Sequence, residues 1–228
     1  MNFELKGKRA IVSAGGSGIG RSIVSEFIKQ GVSVSTCDID KSLVRELKNK
    51  YPQIYAEVVD VADEKSVKEF CAKSIKFSGG LDFLVNNAGV AGPTLSIEEI
   101  NGADWSHCLN VCLSSQFYFV KYCLKHLRKS TSASIVNLSS AAGQYGFAFR
   151  TPYASAKWGV IGLTKSLSIE LGKDKIRVNA ILPGLVAGDR QQNVLRNKAQ
   201  MLGKSFDEVE KEALSFTSIK EYVDAQDI

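Results

Sequence analysis

A glycine-rich stretch, Ser13-Ala14-Gly15-Gly16-Ser17-Gly18-Ile19-Gly20, follows a short apolar run and precedes a segment of helical period. In that context, glycines let a pyrophosphate approach backbone N–H groups at the N-terminus of a helix. The stretch also matches Gly-x-x-x-x-Gly-Arg-Ser, which differs from an NTPase P-loop by Arg21 in place of the phosphate-binding lysine. The motif therefore indicates a nucleotide and leaves two classes of protein open.

Asp38 favours one of these classes. It follows the second apolar run, eighteen residues after Gly20, where a carboxylate can accept both hydroxyls of an adenosine ribose. A P-loop protein has no use for a carboxylate at this point, and the bland alternative is a solvated turn residue. Together with the glycines, Asp38 indicates a dinucleotide cofactor. It favours NAD over NADP, because its negative charge would face the 2′-phosphate of NADP.

The elements that position these residues alternate along the chain, as in βαβ units with a parallel sheet. Six strands are predicted, at Arg9–Ser13, Val32–Cys37, Ile54–Val59, Leu81–Asn86, Ser134–Ser139 and Ile176–Ile181. Five helices are predicted between them, at Gly18–Gln30, Asp40–Lys50, Asp63–Phe77, Asp104–Lys129 and Thr151–Leu171, and two follow the last strand, at Arg190–Met201 and Phe206–Ser215. Without a repeat or a linker, residues 1–228 are predicted to form a single domain.

Further polar motifs stand at the carboxyl ends of the predicted strands. They are Asp60-Val61, Asn86-Asn87-Ala88-Gly89, Leu138-Ser139-Ser140 and Pro183-Gly184, while Asn110 and Tyr153-Ala154-Ser155-Ala156-Lys157 lie in predicted helices. In this order the motifs resemble those of the short-chain dehydrogenase/reductase family, in its compact single-domain form, from about Leu5 to the end. The resemblance implies a Rossmann-type α/β fold of three layers, a doubly wound parallel sheet with strand order 3-2-1-4-5-6.

The family's reaction is hydride transfer between a nicotinamide cofactor and a carbon that bears oxygen. The resemblance therefore implies an NAD-dependent oxidoreductase that acts on a secondary alcohol or ketone. Two alternatives stay open: a 3-oxoacyl carrier-protein reductase, and a catalytically idle NAD-binding scaffold.

Four catalytic residues follow from the resemblance: Asn110, Ser140, Tyr153 and Lys157. Tyr153 would exchange the proton of the substrate oxygen as general acid and base, and Ser140 would hydrogen-bond that oxygen. Lys157 lies four positions after Tyr153, on the same helix face, and its ammonium would stabilise a phenolate whose ordinary pKa is about 10. Lys157 would also hold the nicotinamide ribose, and Asn110 would bind a water that relays protons from Lys157.

The cofactor-binding residues implied by the family are distributed over all these motifs. They are Ala14, Ser17, Gly18, Ile19, Gly20, Asp38, Asp60, Val61, Asn87, Ala88, Gly89, Tyr153, Lys157, Pro183, Gly184 and Val186. The chain departs from the family pattern at Ala14, where the first glycine is usual, and at Gly188, where many members have a threonine. A seventh strand is also usual in the family, and the sequence ends at Ile228 before one.

Composition excludes several other classes. The net charge of +5 is a mild bias that does not predict nucleic-acid binding. No apolar segment is long enough to span a membrane and the start lacks a signal peptide, so the cytoplasm is the expected location. The five cysteines are predicted to be reduced core thiols, and no metal site is expected from His107, Cys108, Cys112 and His126.

The substrate side carries no motif, so the expectations there come from position. Residues 188–216 are predicted to form a helical, mobile lid. Tyr145, Phe147 and Phe149 would line a pocket that favours an uncharged carbonyl compound over a diacid. The guanidinium of Arg150 could hold a carboxylate, but next to the predicted helix cap Thr151 it is expected to be a surface or interface residue. Apolar residues almost all round Val111–Leu127 predict a homodimer or homotetramer.

Overall fold

The sheet has six parallel strands in the order β3-β2-β1-β4-β5-β6. The computed structural model describes residues 4–228. Its strands are β1 (Arg9–Ser13), β2 (Ser33–Asp38), β3 (Tyr55–Val58), β4 (Phe83–Asn86), β5 (Ser134–Leu138) and β6 (Arg177–Ile181). The predicted order and the parallel, doubly wound topology are confirmed.

Eight α-helices surround the sheet in the described part of the chain. They are α1 (Gly18–Lys29), α2 (Lys41–Lys50), α3 (Glu64–Ser78), α4 (Gly102–Leu109), α5 (Ser115–Leu127), α6 (Thr151–Glu170), α7 (Asp189–Leu202) and α8 (Phe206–Ser215). Among these residues, no helix is long and apolar enough to cross a membrane.

Local sequence signals account for most helix ends. The side chains of Asp40 and Asp63 accept hydrogen bonds from backbone N–H groups in the first turns of α2 and α3. Gly79 ends α3 in a left-handed conformation, with φ 71°. Ser205 and Glu208 form a reciprocal capping box at the start of α8.

Two predictions of helix boundaries were wrong. The segment predicted as one helix over Asp104–Lys129 begins earlier, because Asn101 caps α4, and a π-helical turn at Asn110–Ser114 divides it into α4 and α5. The N-cap of α6 is Arg150 rather than Thr151. Such π-turns are common at functional sites, and this one has consequences for Asn110 below.

Buried apolar side chains form a separate core on each face of the sheet. Val24 of α1 and Leu47 of α2 lie in one core, while Phe70 of α3 and Phe119 of α5 lie in the other. Layers of helices therefore cover both faces, as in other doubly wound folds. All five cysteines are buried and free, which agrees with the prediction of core thiols.

Helices α7 and α8 are held together by a small core of their own. Leu195, Ala199 and Val209 form it, with Phe206 and Tyr222 packed around them. The segment that follows returns to the body of the protein through an isolated parallel bridge between Val186 and Val223. The apolar faces of these two helices thus cover each other.

Candidate active site

The strand order reverses between β1 and β4, so the carboxyl ends of these strands border a crevice. In open α/β sheets this is where ligands bind. Ser13 ends β1 and Asn86 ends β4, and the glycine-rich stretch and Asn87 follow them directly. The topology thereby brings the nucleotide motif and the Asn87-Ala88-Gly89 motif to one edge.

Asn87 fixes the glycine-rich stretch through hydrogen bonds. Its Nδ2 donates to the carbonyls of Ser13 and Ala14, at 3.0 and 2.9 Å. The Ser13 hydroxyl in turn accepts from the backbone N–H groups of Asn87 and Ala88, both at 3.0 Å. A side chain at Gly20 would collide with the Ala14 carbonyl and Asn87, so only glycine lets α1 approach this closely.

The start of α1 is open toward the crevice. Ser17 makes no side-chain capping bond there, and both Ser17 and Gly18 are exposed. Gly18 has φ 50°, and a side chain added at that position would meet no atom within 4 Å. Uncapped N–H groups beside an open backbone suit a pyrophosphate, which fits a dinucleotide.

Asp38 is placed as predicted, at the end of β2 and beside this opening. It is only 8% exposed, and its carboxylate accepts hydrogen bonds from the backbone N–H groups of Gly16 and Asp40 at 3.0 and 3.1 Å. The remaining lone pairs of the carboxylate suit ribose hydroxyls. Arg21, the residue that raised the P-loop alternative, instead forms an ion pair with Glu46 at 2.7 Å.

Tyr153 lies at the first turn of α6 and is surrounded by cations. The guanidinium carbon of Arg150 lies 4.6 Å from the centre of its ring, Lys157 Nζ lies at 5.7 Å, and the guanidinium carbon of Arg190 lies at 5.9 Å. Within residues 4–228, the Tyr153 hydroxyl has no hydrogen-bond partner. It is therefore available to a substrate oxygen.

Gly89 marks where the two halves of the crevice meet. A methyl group at this position would lie 3.6 Å from Lys157 Nζ and 3.7 Å from both Arg190 Nη2 and Cys112 Sγ. Arg190 Nη1 also donates to the Gly89 carbonyl at 3.1 Å. The Asn87-Ala88-Gly89 motif, which is predicted to bind the cofactor, thus lies directly beside the cationic cluster.

Lys157 and Ser140 occupy the ends of neighbouring elements. Lys157 is 3% exposed, and its Nζ donates to the Leu138 carbonyl at 2.7 Å. Ser140 follows β5, and its hydroxyl accepts a hydrogen bond from the backbone N–H of Ala142 at 3.2 Å. Ser140 therefore acts as a strand-end cap in this structure, while its hydroxyl hydrogen remains free to donate.

The structure does not bring Asn110 to the site, so the relay predicted for it needs correction. The Asn110 side chain is exposed and accepts a hydrogen bond from Ser114 Oγ at 3.3 Å. Residues two apart on a helix point in different directions, and it is Cys112 that faces Lys157. Cys112 Sγ accepts from the backbone N–H of Val90 at 3.3 Å. A hydrogen bond from Cys108 is the main cause that lowers the pKa of the Cys112 thiol, and the charge of Lys157 contributes.

The remaining predicted cofactor residues lie along the same edge. Asp60 is exposed and accepts from the backbone N–H of Ala62 at 2.9 Å, whereas Val61 is buried in the core. Pro183 accepts from the Ala141 N–H at 2.9 Å. Gly184 is exposed and Val186 is half-buried.

Sequence reasoning missed Arg190 and Cys112, and it favoured the surface or an interface for Arg150. Arg150 was judged a surface or interface residue, but the structure half-buries it against Tyr153. One signal was present in the sequence, since Arg150 is three positions before Tyr153, a spacing that brings side chains together on a helix. Arg190 and Cys112 carry no such signal, because they reach the site from distant parts of the chain.

Comparisons with known proteins identify the family of the chain. The family model described as short chain dehydrogenase matches residues 8–199. A 3-oxoacyl-(acyl-carrier-protein) reductase of Thermotoga maritima is 36% identical over 188 residues, which cover 81% of this chain and 76% of the relative. An L-fucose dehydrogenase of Bos taurus is 34% identical, over 81% of this chain and 68% of the relative.

Solved structures show the same fold. A levodione reductase structure has a TM-score of 0.88 at 26% identity and covers 97% of this chain and 87% of its own. An NAD⁺-bound xylitol dehydrogenase has a TM-score of 0.92 at 23% identity, over 98% of this chain and 89% of that one. The chain belongs to the short-chain dehydrogenase/reductase family, and it is an oxidoreductase of that family.

Proposed function

We propose that this protein transfers hydride between NAD(H) and a secondary alcohol or ketone, with Tyr153 as general acid and base. The observation that carries the proposal is Tyr153, whose hydroxyl has no hydrogen-bond partner among residues 4–228 and whose ring centre lies 5.7 Å from Lys157 Nζ at the carboxyl edge of the sheet. When bound, the nicotinamide supplies or accepts the hydride. Every other task falls to side chains of this chain.

Tyr153 holds the proton that the substrate oxygen gains on reduction and takes it back on oxidation. Lys157, which is buried, places a positive charge 5.7 Å from the centre of the Tyr153 ring. Ser140 donates its hydroxyl hydrogen to the same substrate oxygen and so positions it. Asn110 has no part in this scheme, because its side chain lies outside the cluster.

The residues that would hold the cofactor divide into three groups. The N–H groups at the start of α1, with Ser17, Gly18 and Ile19, suit the diphosphate. Asp38 suits the adenosine ribose, and its charge disfavours the additional phosphate of NADP. In the third group, Asn87 to Gly89 suit the middle of the cofactor and Lys157 suits the nicotinamide ribose.

A second candidate is a 3-oxoacyl carrier-protein reductase, which the similarity to the Thermotoga maritima enzyme favours. A third is an NAD-binding scaffold without turnover. The intact Tyr153–Lys157 pair supports an active enzyme over the scaffold.

The test is a set of initial-rate measurements with a panel of secondary alcohols and NAD, ketones and NADH, and a 3-oxoacyl thioester. Fluorescence titration with NADH and with ATP is run beside it. We expect NADH binding, no ATP binding, and turnover of at least one alcohol–ketone pair. NADH binding without any turnover would favour the scaffold, and absence of NADH binding would overturn the proposal.

We also propose that the enzyme forms a homodimer or homotetramer through α4–α5 and α6. The other apolar residues of α5 are buried or half-buried within the subunit, but Phe117 is 47% exposed, and Trp158 and Ile169 of α6 are 51% and 84% exposed. Large apolar side chains on neighbouring helices suit an interface. A monomeric mass in light scattering at micromolar concentration would contradict this assembly.

A further inference from the structure

Two arginines from separate elements converge on Tyr153. Arg150 precedes α6 and lies over the ring at 4.6 Å, while Arg190, in the first turn of α7, lies at 5.9 Å. Lys157 adds a third positive charge. The part of the crevice that would receive the substrate is therefore strongly cationic.

No carboxylate balances these charges. Among residues 4–228, neither Arg150 nor Arg190 forms an ion pair with an acidic side chain. The ionisable groups that act on Arg150 are Tyr153, Arg190 and the thiols of Cys108 and Cys112. A guanidinium stays protonated in proteins, and a partly buried charge without a counter-ion is costly.

Arg150 bears most of this cost. Its Nε is buried and has no hydrogen-bond partner within the described residues. Burial is the main cause that lowers the pKa of its guanidinium, and repulsion by Arg190 adds to it. An unpartnered donor beside a reactive hydroxyl is the arrangement expected where a ligand completes the site.

The backbone holds Arg150 in this position. Phe149, directly before it, has a left-handed φ of 63°, and its carbonyl accepts from the Leu95 N–H at 3.1 Å. Arg150 Nη2 donates to the Ala91 carbonyl at 2.7 Å. A bulky residue with positive φ costs about 1–3 kcal/mol. Because the turn at Phe149 is strained and hydrogen-bonded to a second loop, it indicates that function sets the position of Arg150.

We propose that Arg150, assisted by Arg190, binds a carboxylate of the substrate, so that the substrate is a short hydroxy acid or oxo acid whose carboxylate lies close to the reacting carbon. This inference rests on the proposed function, because it places the reacting oxygen at Tyr153. The planar fork of a guanidinium pairs with a carboxylate through two hydrogen bonds. The inference of a carboxylate substrate replaces the expectation of an uncharged carbonyl substrate, which was drawn from the aromatic residues alone.

The cofactor diphosphate is the other anion to consider for this site. The open start of α1, next to Gly18, suits the diphosphate, whereas Arg150 contacts Tyr153 at the start of α6. Arg190 bonds to Gly89, between the two places. The roles of the two arginines therefore have to be separated by experiment.

The experiment compares each acid with its methyl ester, which keeps the carbonyl and removes the charge. Acetoacetate and methyl acetoacetate form one pair, pyruvate and methyl pyruvate another, and other short oxo acids extend the panel. Binding is measured by calorimetry in the NADH-loaded Tyr153→Phe enzyme, which keeps the ring under Arg150. Turnover is measured in the enzyme with Tyr153. The variants are Arg150→Met, Arg150→Lys and Arg190→Met, and Arg177→Met is the matched control, since Arg177 is exposed at the opposite end of β6.

We expect at least one acid to bind at least about tenfold more tightly than its ester, and Arg150→Met to weaken that acid about a hundredfold, the effect expected when one member of a buried charge pair is removed. Arg150→Lys keeps the charge without the planar fork, so its affinity for the acid should lie between that of the enzyme with Arg150 and that of Arg150→Met. Ester binding, NADH affinity and the Arg177→Met enzyme should change little. Weaker NADH binding in Arg190→Met alone would assign Arg190 to the cofactor and leave Arg150 as the carboxylate ligand.

Three outcomes would overturn the inference. One is equal binding of acids and esters across the panel, and another is no binding of any acid. The third is an equal loss of acid and ester in Arg150→Met, which would mean that Arg150 positions Tyr153. Failure of the proposed function would give different results: NADH would not bind, or turnover would survive Tyr153→Phe.

Discussion

The two halves of the crevice differ in how their polar groups are satisfied. In the nucleotide half, the Asp38 carboxylate, the Ser13 hydroxyl and the Asn87 amide are all hydrogen-bonded to backbone groups. In the substrate half, the Tyr153 hydroxyl and Arg150 Nε have no partner among the described residues, and three cations lie together.

This difference separates a prearranged region from an incomplete one. Internal hydrogen bonds hold the nucleotide half in shape before any ligand arrives, so binding there needs little ordering. Among the described residues, the substrate half keeps charges and donors unpaired, and under the proposal above an anion and a carbonyl oxygen complete it. We therefore expect substitutions in the substrate half to affect turnover, and those in the nucleotide half to affect cofactor choice and stability.

The largest effect is expected for Tyr153→Phe. Loss of the phenolic oxygen removes the general acid and base, a contribution of about 10²–10⁴-fold in rate. NADH affinity should change little, because the ring and the nucleotide half remain. Initial rates and NADH fluorescence titration measure the two quantities. Tyr51→Phe, at the C-terminal end of α2, is the matched control, and activity of Tyr153→Phe above about a hundredth of the original would contradict the assignment.

Asp38→Ala sharpens the comparison from the nucleotide side. Like charges about 4 Å apart repel by about 4 kcal/mol at an effective dielectric of 20, so kcat/KM should favour NAD over NADP by at least about a hundredfold. The variant should lose most of this preference while Tyr153-dependent chemistry remains. Kinetics with both cofactors test it, with Asp207→Ala on the exposed start of α8 as control. Comparable kcat/KM for NAD and NADP in the unaltered protein would refute the role of Asp38.

The α7–α8 segment should behave as a lid over the substrate half. We propose that residues 188–216 become more protected on binding NADH with a substrate analogue, because α7 and α8 pack mainly on each other and Arg190 links them to Gly89. Hydrogen exchange of residues 190–215 measures this, and we expect slowing of about tenfold or more, equivalent to about 1.4 kcal/mol. Amides of α3 serve as the reference. Equal protection with and without ligands would mean a fixed element.

The smallest effect is expected at Ala14, within the prearranged half. Ala14 has φ 52°, a left-handed conformation that costs a residue with a side chain about 1–2 kcal/mol. Ala14→Gly should therefore raise the free energy of unfolding by about 0.5–1 kcal/mol after the entropy cost of glycine, a rise in Tm of about 1–4 °C. Thermal unfolding with and without NADH measures it. Lys175→Gly, at a similar φ of 57° outside the crevice, should stabilise the protein without any change in NADH affinity, and a loss of stability in Ala14→Gly would contradict the argument.

The sequence by itself determined the fold and the nucleotide half. Alternation of β-branched runs with helical segments is a local pattern, and in parallel sheets the motif after each strand necessarily reaches the carboxyl edge. For that reason the placement of Asp38 and the helical pairing of Tyr153 with Lys157 were predictable, whereas the strand order was predicted from the resemblance to the family. Helix details were less so, since the π-turn at Asn110–Ser114 leaves no signature in residue types.

Only the tertiary structure decided the substrate half. Arg190 lies 37 positions after Tyr153 and Cys112 lies 41 before it, and contacts over such separations depend on how whole helices pack. Local pattern showed Asn110 as polar and inside a helix, but the helix rotation decides that Cys112 faces Lys157 in its place. The cluster of positive charge around Tyr153 could not be predicted from the sequence for the same physical reason. A single arginine is ordinarily a solvated surface residue. It becomes available to an anionic ligand only when packing buries it without a carboxylate partner.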